Sequence, residues 1–313
     1  MDFQLKFSIP EAEQKISFGD RIIFIGSCFS DEMSLLASQH GFQVASNPFG
    51  TLFHPMAIAQ NLLDSLLENE EISVVRNEDV YFDFGCSGKV YGMSETELTQ
   101  KVLVLRQNLK NELKNASHLF ITFGTAFGYY LNETNQLVGN CHKQPGQNFT
   151  KKLTEIDQII SVWNQVISEI IKLNTEIQIC FTVSPVRHSK DGVHENNLSK
   201  STLMLALRKL QSDNSISYFP VYELVIDILR DYRFFKEDLV HPNNQAIQFV
   251  WEKFMETFLT TDTNVIAKKV NEIKLGMSHR LQYSESKMVQ LFQMSLNERK
   301  RSMSEAHFGI CWD

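Results

Sequence analysis

Apolar segments alternate with amphipathic segments of helical length along most of the chain. The apolar segments are rich in β-branched and aromatic residues and predict the strands of a buried sheet over 21–26, from Val44 to 47, and over 118–123, 177–183 and 217–219. The amphipathic segments predict helices over 30–40, 55–67, 95–114, 151–173, 197–211 and 243–259. Because strands and helices alternate, we expect an α/β domain with a parallel sheet and helices on both of its faces.

Two regions depart from this alternation. Residues 77–91 contain two short strand-like runs and predict a β-hairpin inserted off the main sheet. Near the end of the chain, residues 265–276 and 281–303 have a helical pattern. We therefore predict a main domain over 1–260 and a C-terminal helical extension over 261–313. The apolar positions of this extension are expected to pack on the main domain or to form a homodimer with a second subunit.

The composition is that of an ordinary globular protein, since 43% of the 313 residues are hydrophobic and 21% are charged. The 37 acidic residues outnumber the 30 basic ones and leave a formal net charge of −7. Proteins that bind nucleic acid usually present a broad basic face, so we expect no nucleic-acid partner.

The sequence contains no signal for export or membrane insertion. Its start lacks the basic segment and apolar run of a signal peptide, and no apolar run reaches the ~18 residues of a membrane span. The five cysteines are widely spaced and form no CxxC pair. These features favour free thiols in a reducing compartment, so we expect a cytoplasmic protein without a membrane partner.

Glycine, small polar residues and ionisable residues are concentrated where the predicted strands end. They lie in the segments GSCFS (26–30), NPFG (47–50), GTA (124–126) and SPVRH (184–188), and a fifth segment, DLVHP (238–242), precedes the last helix of the main domain. In a parallel α/β sheet, sites form at the carboxyl ends of the strands. The sequence therefore predicts that these loops together form an active or binding site.

Cys28 and the pair Asp238 and His241 carry the candidate chemistry. Cys28 lies between a buried strand and a helix start, where the helix N-terminus can stabilise a thiolate, an effect that Asp31 and Glu32 would oppose. Asp238 lies three residues before His241, a spacing that lets the carboxylate orient the imidazole and stabilise its cation. Cys28 also fits a buried, inert cysteine, and Asp238 and His241 also fit an ordinary solvated loop. The residues alone therefore leave a catalytic and a non-catalytic interpretation open.

Residue types that bind metals occur at Cys141 and His142 and at His188 and His194. Their spacings match no standard zinc pattern, and adjacent Cys and His side chains rarely point at one ion. We predict no metal and no cofactor. A metal-dependent hydrolase that uses His142, His188 and His194 stays open as a third interpretation.

The motifs at the strand ends resemble those of the GSCFA family, a bacterial group named for the motif that residues 26–30 match, with Ser30 in place of alanine. Further stretches resemble the family in the same order: NPFGTLFHP (47–55), TFGTAFGY (122–129), NCHKQPGQNF (140–149), SPVRH (184–188) and LRDYRFFKEDLVHPN (229–243). The resemblance covers about residues 2–260. The family in turn resembles the SGNH (GDSL-type) hydrolases, which implies a flavodoxin-like three-layer α/β/α sandwich with a parallel sheet of about five strands.

The resemblance to the SGNH hydrolases also implies catalytic roles. With the glycine aligned, Cys28 takes the position of the nucleophilic serine, and a shift of one residue would make Ser27 the nucleophile instead. Asp238 and His241 match the D-x-x-H motif of that superfamily in full. The implied activity is that of an acyl-ester hydrolase or acyltransferase, in which His241 takes the proton from Cys28 and Asp238 holds the imidazole. The acyl group of a small-molecule or glycan substrate would pass through a thioester to water or to another acceptor.

The same resemblance implies an oxyanion site. The backbone N–H groups of Cys28 and Gly50 match its donors, whereas Ala126 replaces the asparagine of the superfamily. Loss of one oxyanion donor costs roughly 10²–10³ in rate, so Ala126 favours an alternative in which the protein is a non-catalytic ligand-binding relative. The candidate substitute donors are Thr125, Asn140 and His142, and the other candidate substrate-binding residues are Asn47, Gly124, Arg187 and His188. The last two are expected to bind an anionic part of the substrate.

Overall fold

The computed structural model describes residues 5, 7–278 and 286–313. The first residues of the helix predicted over 281–303 lie outside this part of the chain. The strands are β1 (Arg21–Gly26), β2 (Gln43–Ser46), β3 (Val74–Asn77), β4 (Val80–Asp83), β5 (Tyr91–Gly92), β6 (His118–Phe123), β7 (Phe127–Leu131), β8 (Leu137–Val138), β9 (Phe149–Leu153), β10 (Gln178–Val183) and β11 (Ser217–Tyr218). The helices are α1 (Cys28–Gln39), α2 (Pro55–Leu66), α3 (Glu95–Asn115), α4 (Ile156–Leu173), α5 (Val193–Asp213), α6 (Val221–Glu223), α7 (Asn244–Phe258), α8 (Thr261–Ser278) and α9 (Lys287–Ala306). The short α6 continues into a π-helical segment over Leu224–Leu229.

The main sheet has five parallel strands in the order β11-β10-β6-β1-β2. β1 lies between β2 and β6, and its residues 22–26 pair with residues 118–122. The chain moves from β1 outward to β2 and then returns to the other side of β1, which is the strand order of flavodoxin-like folds. This is the fold that the resemblance implied, and it puts a topological switch point between β1 and β6.

Helices cover both faces of the sheet. Ile23 and Ile25 of β1 face a cluster that includes residues of α2, α3, α4 and α5, whereas Ile22 and Phe24 face a cluster that includes residues of α1 and α7. The molecule is therefore a three-layer α/β/α sandwich. Because the central strands are buried on both sides, they read as nearly continuous apolar runs, and the hydrophobic pattern alone predicts them.

Two small antiparallel sheets are added to the sandwich, in the orders β3-β4-β5 and β8-β7-β9. β4 and β5 pair through residues 81–82 and 91–92, close to the bounds of the predicted hairpin, and β3 joins them as a strand that the pattern did not predict. The second small sheet follows directly on β6 and was not predicted at all. β8 has only two residues and β9 carries two exposed lysines, so neither has the apolar run that marks a strand of the main sheet.

The helix predicted over 151–173 is too long at its start. Residues 151–153 belong to β9 and pair with residues 127–129 of β7, and α4 begins only at Ile156. A capping box formed by Glu155 and Gln158 ends the strand region and starts the helix, because it satisfies backbone N–H groups that the first turn leaves free. The lysines of β9 are exposed, so no apolar periodicity distinguished this strand from the helix.

The C-terminal helices α8 and α9 pack against each other and return the chain to the main domain. Lys274 of α8 donates to the carbonyl of Ser38 in α1 at 3.0 Å, and the N–H of Cys311 donates to the carbonyl of Gly41 at 2.8 Å. These contacts lie at the C-terminal end of α1 and therefore at the amino ends of the strands, opposite the loops that carry the candidate chemistry. Among the described residues, no helix is both long enough and apolar enough to cross a bilayer.

Candidate active site

The turn after β1 lies at the switch point and requires glycine. Gly26 has a φ of +133°, and a Cβ atom at this position would lie 2.1 Å from the carbonyl oxygen of Thr122 in β6. The N–H of Gly26 donates to the side chain of Asn47 at 2.7 Å. Glycine thus lets the end of β1 approach β6 closely, and the next two residues, Ser27 and Cys28, emerge at the carboxyl edge of the sheet.

The structure gives Ser27 and Cys28 different surroundings. Ser27 is the N-cap residue of α1, and its hydroxyl accepts a hydrogen bond from the N–H of Phe29 at 3.3 Å. Ser27 is 1% exposed, whereas Cys28, the first residue of the helix, is partly exposed. The Ser27 hydroxyl is therefore engaged in capping the helix, whereas the Cys28 side chain is partly accessible.

The thiol of Cys28 is protonated at neutral pH. Burial raises the pKa of Cys28, and the carboxylates of Asp31 and Glu32 raise it further, whereas its own backbone N–H and the ammonium group of Lys236 act in the opposite direction. Of the two opposed effects expected from the sequence, the carboxylates therefore prevail over the helix N-terminus. Cys28 needs a base before it can act as a nucleophile.

Asp238 and His241 form a hydrogen-bonded pair across a tight turn. Asp238 Oδ2 accepts from Nδ1 of His241 at 2.7 Å, and Oδ1 accepts the N–H groups of Val240 and His241, each at 3.0 Å. The N–H of His241, that of Val240 and then the ring lower the pKa of Asp238 to about 2, so the carboxylate stays charged. Leu239, with a φ of +58°, folds the carboxylate back onto the ring. Since Nδ1–H is donated to Asp238, Nε2 is the nitrogen that can take up a proton.

Contacts join this turn to the helix that carries Cys28. The N–H of Lys236 donates to the carbonyl of His241 at 2.7 Å, and the ammonium group of Lys236 lies 3.8 Å from the carboxylate of Glu32. Glu32 lies about one helical turn after Cys28 in α1. His241 and Cys28 are both partly exposed at this edge, although no hydrogen bond joins these two described residues. Such bonds often tighten only when a substrate binds.

Asn47 and Gly50 form the loop after β2, and their groups are already engaged. The side chain of Asn47 donates to Asp31 at 2.7 Å and accepts from Gly26. Gly50, with a φ of +73°, donates its N–H to the carbonyl of Asn47 at 2.8 Å. The N–H that the resemblance assigns to the oxyanion is therefore occupied within its own loop. By contrast, the N–H of Cys28 has its own thiol as its only hydrogen-bond partner among the described residues.

Residues of α5 form hydrogen bonds with the loop after β6. The hydroxyl of Ser199 accepts the N–H of Ala126 at 2.8 Å and lies 3.0 Å from the hydroxyl of Thr125. The ammonium group of Lys200 donates to the carbonyl oxygen of Gly124 at 2.6 Å. Hydrogen bonds with Lys200 and Ser199 of α5 thus fix Gly124 and Thr125 in the loop. Ala126 is fully buried and has no donor in its side chain.

Sequence reasoning missed both Ser199 and Lys200. Lys200 lies on the buried face of α5, at helical spacing from Leu203 and Leu207. That spacing is the available signal, because a lysine in register with buried leucines faces the core. The polar residues around it in the sequence ENNLSKS concealed the pattern.

Arg187 and His188 follow β10 and have different surroundings. Arg187 lines a cavity of about 530 Å³ together with Asp238 and Leu239, whereas neither His241 nor Cys28 is among the lining residues. Burial, followed by the ammonium group of Lys200, lowers the pKa of His188 to about 4, so its ring is neutral at neutral pH. Of the two side chains expected to bind an anionic group, His188 therefore offers a neutral ring, and the role of Arg187 stays a prediction.

Asn140 and His142 lie in other surroundings. The ring of His142 donates from Nε2 to the carbonyl of Asp83 at 2.9 Å and stacks on Phe82 with 4.6 Å between ring centroids. Asn140 accepts the N–H of His142 at 2.8 Å. Neither residue forms a hydrogen bond with Cys28 among the described residues, and a role as substitute donor stays a prediction. Over residues 7–278 and 286–313, no group of three or more His, Cys, Asp or Glu side chains is arranged to hold a metal ion.

Most of this chain matches the model of a known protein family. The model of the GSCFA family matches residues 21–254. The chain belongs to the GSCFA family. The matched region runs from β1 into α7 and includes every candidate residue from Ser27 to His241, whereas the C-terminal extension lies outside it. The family resemblance first indicated by the strand-end motifs is thus confirmed.

Similarity between this GSCFA protein and solved structures is weak. The acetyl xylan esterase Est2A from the rumen bacterium Butyrivibrio proteoclasticus is 12% identical with a TM-score of 0.41, over 77% of this chain and 64% of that chain. A carbohydrate esterase family 3 protein from Talaromyces cellulolyticus is 7% identical with a TM-score of 0.38, over 80% and 99% of the two chains. The lipopolysaccharide acetyltransferase periplasmic domain from Salmonella ser. Paratyphi A is 12% identical with a TM-score of 0.38, over 77% and 84%. The chain thus spans less than two thirds of Est2A, and such scores carry no argument about activity. Comparison with curated proteins gives no match.

Proposed function

We propose that this GSCFA protein transfers acyl groups from esters or thioesters through Cys28, with His241 as general base and Asp238 as the residue that orients it. The observation that carries the proposal is the Asp238–His241 pair, joined at 2.7 Å on the same edge of the sheet as a partly exposed thiol. That edge is the switch point of a flavodoxin-like sheet, where ligands bind in folds of this class. The resemblance of the same motifs to those of the SGNH hydrolases supports the proposal.

The first half-reaction forms a thioester. Nε2 of His241 takes the proton of the Cys28 thiol, and the sulfur attacks the carbonyl carbon of the substrate. The bond from that carbon to the leaving oxygen breaks, and the imidazolium gives its proton to this oxygen. An alcohol departs, and the acyl group remains on the sulfur. The charged carboxylate of Asp238 stabilises the imidazolium between the two proton transfers.

The second half-reaction releases the acyl group. His241 takes a proton from water, or from an acceptor hydroxyl or amine, and the oxygen or nitrogen attacks the thioester carbon. The bond from carbon to sulfur breaks, and the imidazolium returns its proton to Cys28. Water as acceptor makes the protein a hydrolase, and a hydroxyl or amine makes it an acyltransferase. The N–H of Cys28 is the proposed donor to the oxyanion in both halves.

The cavity lined by Arg187, Asp238 and Leu239 supports a small-molecule or glycan acyl substrate. Its volume of about 530 Å³ lies in the ordinary range for small-molecule sites. Arg187 offers a charge to an anionic part of the substrate, and the exposed side chains of Tyr232 and Leu239 offer apolar surface to a sugar face or an acyl chain. The free thiols of all five cysteines support a reducing, cytoplasmic setting for the reaction.

Turnover of activated esters tests the proposal. Wild type should release nitrophenol from a short-chain nitrophenyl ester, and Cys28→Ala should abolish this release while the circular dichroism spectrum stays unchanged. Cys141→Ala is the matched control, because Cys141 is also a partly exposed free thiol but lies next to His142, outside the proposed site. Full turnover in folded Cys28→Ala would remove the cysteine from the mechanism.

The alternative is a non-catalytic protein that binds an acylated or glycan ligand. The occupied N–H of Gly50 and the alanine at position 126 favour it, because both reduce the number of oxyanion donors. This alternative predicts no turnover with any of several acyl donors. It also predicts that Arg187→Ala weakens ligand binding in calorimetry, whereas Cys28→Ala leaves binding unchanged.

A further inference from the structure

Lys200 is a buried cation at the base of the proposed site. The residue is 2% exposed, and its ammonium group donates to the carbonyl oxygens of Gly124 at 2.6 Å and Ser184 at 2.7 Å. These carbonyls follow β6 and β10, so the lysine joins the ends of two neighbouring strands next to the turn that carries Cys28. The third N–H of the ammonium group has no acceptor among the described residues.

This position is unfavourable for a residue that only fills the core. A buried charge is costly unless it is paired, and Lys200 forms no ion pair with any carboxylate of the described chain. A methionine or leucine would continue the apolar face of α5 without that cost. An unpaired buried cation next to a thiol indicates that the charge itself has a use.

Four described residues interact with Lys200 in addition to its two hydrogen-bond partners. They are Cys28 at the start of α1, Arg187 and His188 after β10, and the ring of Tyr222 in α6, whose centroid lies 6.0 Å from Nζ. Burial lowers the pKa of Lys200 to about 7, negative charge on Cys28 raises it, and Arg187 lowers it. Protonated Lys200 and a thiolate at Cys28 therefore attract each other, and the positive charge favours the thiolate.

We propose that Lys200 is a positioning residue that holds the loops after β6 and β10 together and places a positive charge beneath Cys28. The charge favours the thiolate, and so it favours the sulfur attack in which His241 removes the proton. The inference deepens the proposed function, since it concerns the same thiol. It accounts for how a thiol flanked by two carboxylates is activated.

The pH dependence of Cys28 alkylation tests this role without requiring turnover. Iodoacetamide is applied between pH 5 and pH 9, and the modified peptide is quantified by mass spectrometry. In wild type the rate should rise tenfold per pH unit, flatten near the pKa of Lys200, about 7, and rise again at higher pH. The rate flattens because deprotonation of Lys200 removes the positive charge that favours the thiolate. This loss offsets the increase in thiolate that rising pH would otherwise produce.

Two variants give the comparison. Lys200→Met should react about tenfold or more slowly at pH 6, and this difference should close as the pH rises above 7, because the wild-type lysine is then neutral. Lys209→Met, which removes a solvent-exposed lysine of the same helix, should follow wild type throughout. The proposal would be overturned if Lys200→Met were alkylated at the wild-type rate, or if the ratio of the two rates were the same at every pH. A purely structural role of Lys200 would give such a pH-independent ratio.

Wild type and His241→Gln decide the question if Lys200→Met does not fold. The flattening near pH 7 should persist in His241→Gln, and its loss there would assign it to the histidine and reject the role of Lys200. Failure of the proposed acyl transfer is a separate result, because alkylation reports the thiol even in a protein without turnover.

Discussion

Asp238 Oδ2 lies 2.7 Å from Nδ1 of His241, across a turn in which Leu239 adopts a positive φ. Two backbone N–H groups hold the other oxygen of the same carboxylate, so the pair keeps its geometry without help from the substrate. This arrangement leaves Nε2 of the ring directed to other partners. In the proposed mechanism, this pairing lets the partly exposed His241 act as the general base.

Asp238→Asn should lower kcat/KM for an activated ester by roughly 10²–10⁴-fold with little change in fold, because the amide no longer stabilises the imidazolium. The pKa of Asp238 in the folded protein is about 2, so the carboxylate stays charged as the pH falls to 4. Loss of activity between pH 7 and pH 4 must therefore come from another group. Unchanged kcat/KM in Asp238→Asn would show that the carboxylate has no part in the reaction.

Ser27→Ala should destabilise the fold and spare the chemistry. The hydroxyl caps α1 from a position that is 1% exposed, and loss of such a cap costs about 0.5–2 kcal/mol. Urea unfolding should show this loss, while the turnover of the folded variant stays within a few-fold of wild type. Abolished turnover at unchanged stability would make Ser27 the nucleophile.

His54 should make the stability of the fold depend on pH. Its Nδ1 accepts the N–H of Met56 at the start of α2, and burial lowers the pKa of His54 to about 4. Between this value and the ~6.5 of an unfolded histidine, the unfolded chain binds more protons, so stability falls as the pH drops through that range. The full loss is on the order of 3 kcal/mol.

Urea unfolding at pH 7.5 and pH 5 measures this effect. His188, whose pKa is also about 4, contributes in the same direction in both proteins, so wild type must be compared with His54→Gln. The variant should lose less stability than wild type between the two pH values. An equal loss in both would show that His54 does not carry the dependence.

The homodimer through the C-terminal helices stays a prediction. In α9, Met288, Leu291 and Phe292 form an exposed apolar row at helical spacing. Light scattering should give about twice the chain mass, and Leu291→Glu should give a monomer, whereas Leu205→Glu, at an equally exposed leucine of α5, should not. A monomeric wild type at micromolar concentration would contradict the prediction.

The sequence predicts those features in which local pattern and burial agree. Residues 21–26 and 118–123 are buried on both faces, so their apolar runs mark the strands, and parallel topology then brings Cys28 to the switch point. β9 was missed because two exposed lysines give it no such pattern. The sequence leaves the choice between Ser27 and Cys28 open, and it does not reveal that the Ser27 hydroxyl caps α1, because that contact is a property of the three-dimensional structure.

Residues distant in sequence account for the other omissions. Lys200 donates hydrogen bonds to the carbonyls of Gly124 and Ser184, and only the folded sheet brings these two carbonyls together. His142 fits the list of donors in the sequence, but its ring is committed to the carbonyl of Asp83. Sequence patterns therefore located the strand ends, whereas the partners of each polar group had to come from the structure.

The most direct measurement is to map the covalent intermediate. Wild type is incubated with an activated short-chain acyl ester, quenched in acid and digested, and the peptide that contains Ser27 and Cys28 is fragmented in a mass spectrometer. The account predicts an acyl group on Cys28 that hydroxylamine releases and that His241→Gln greatly reduces. An acyl group on Ser27, or no adduct together with no turnover across several acyl donors, would contradict it.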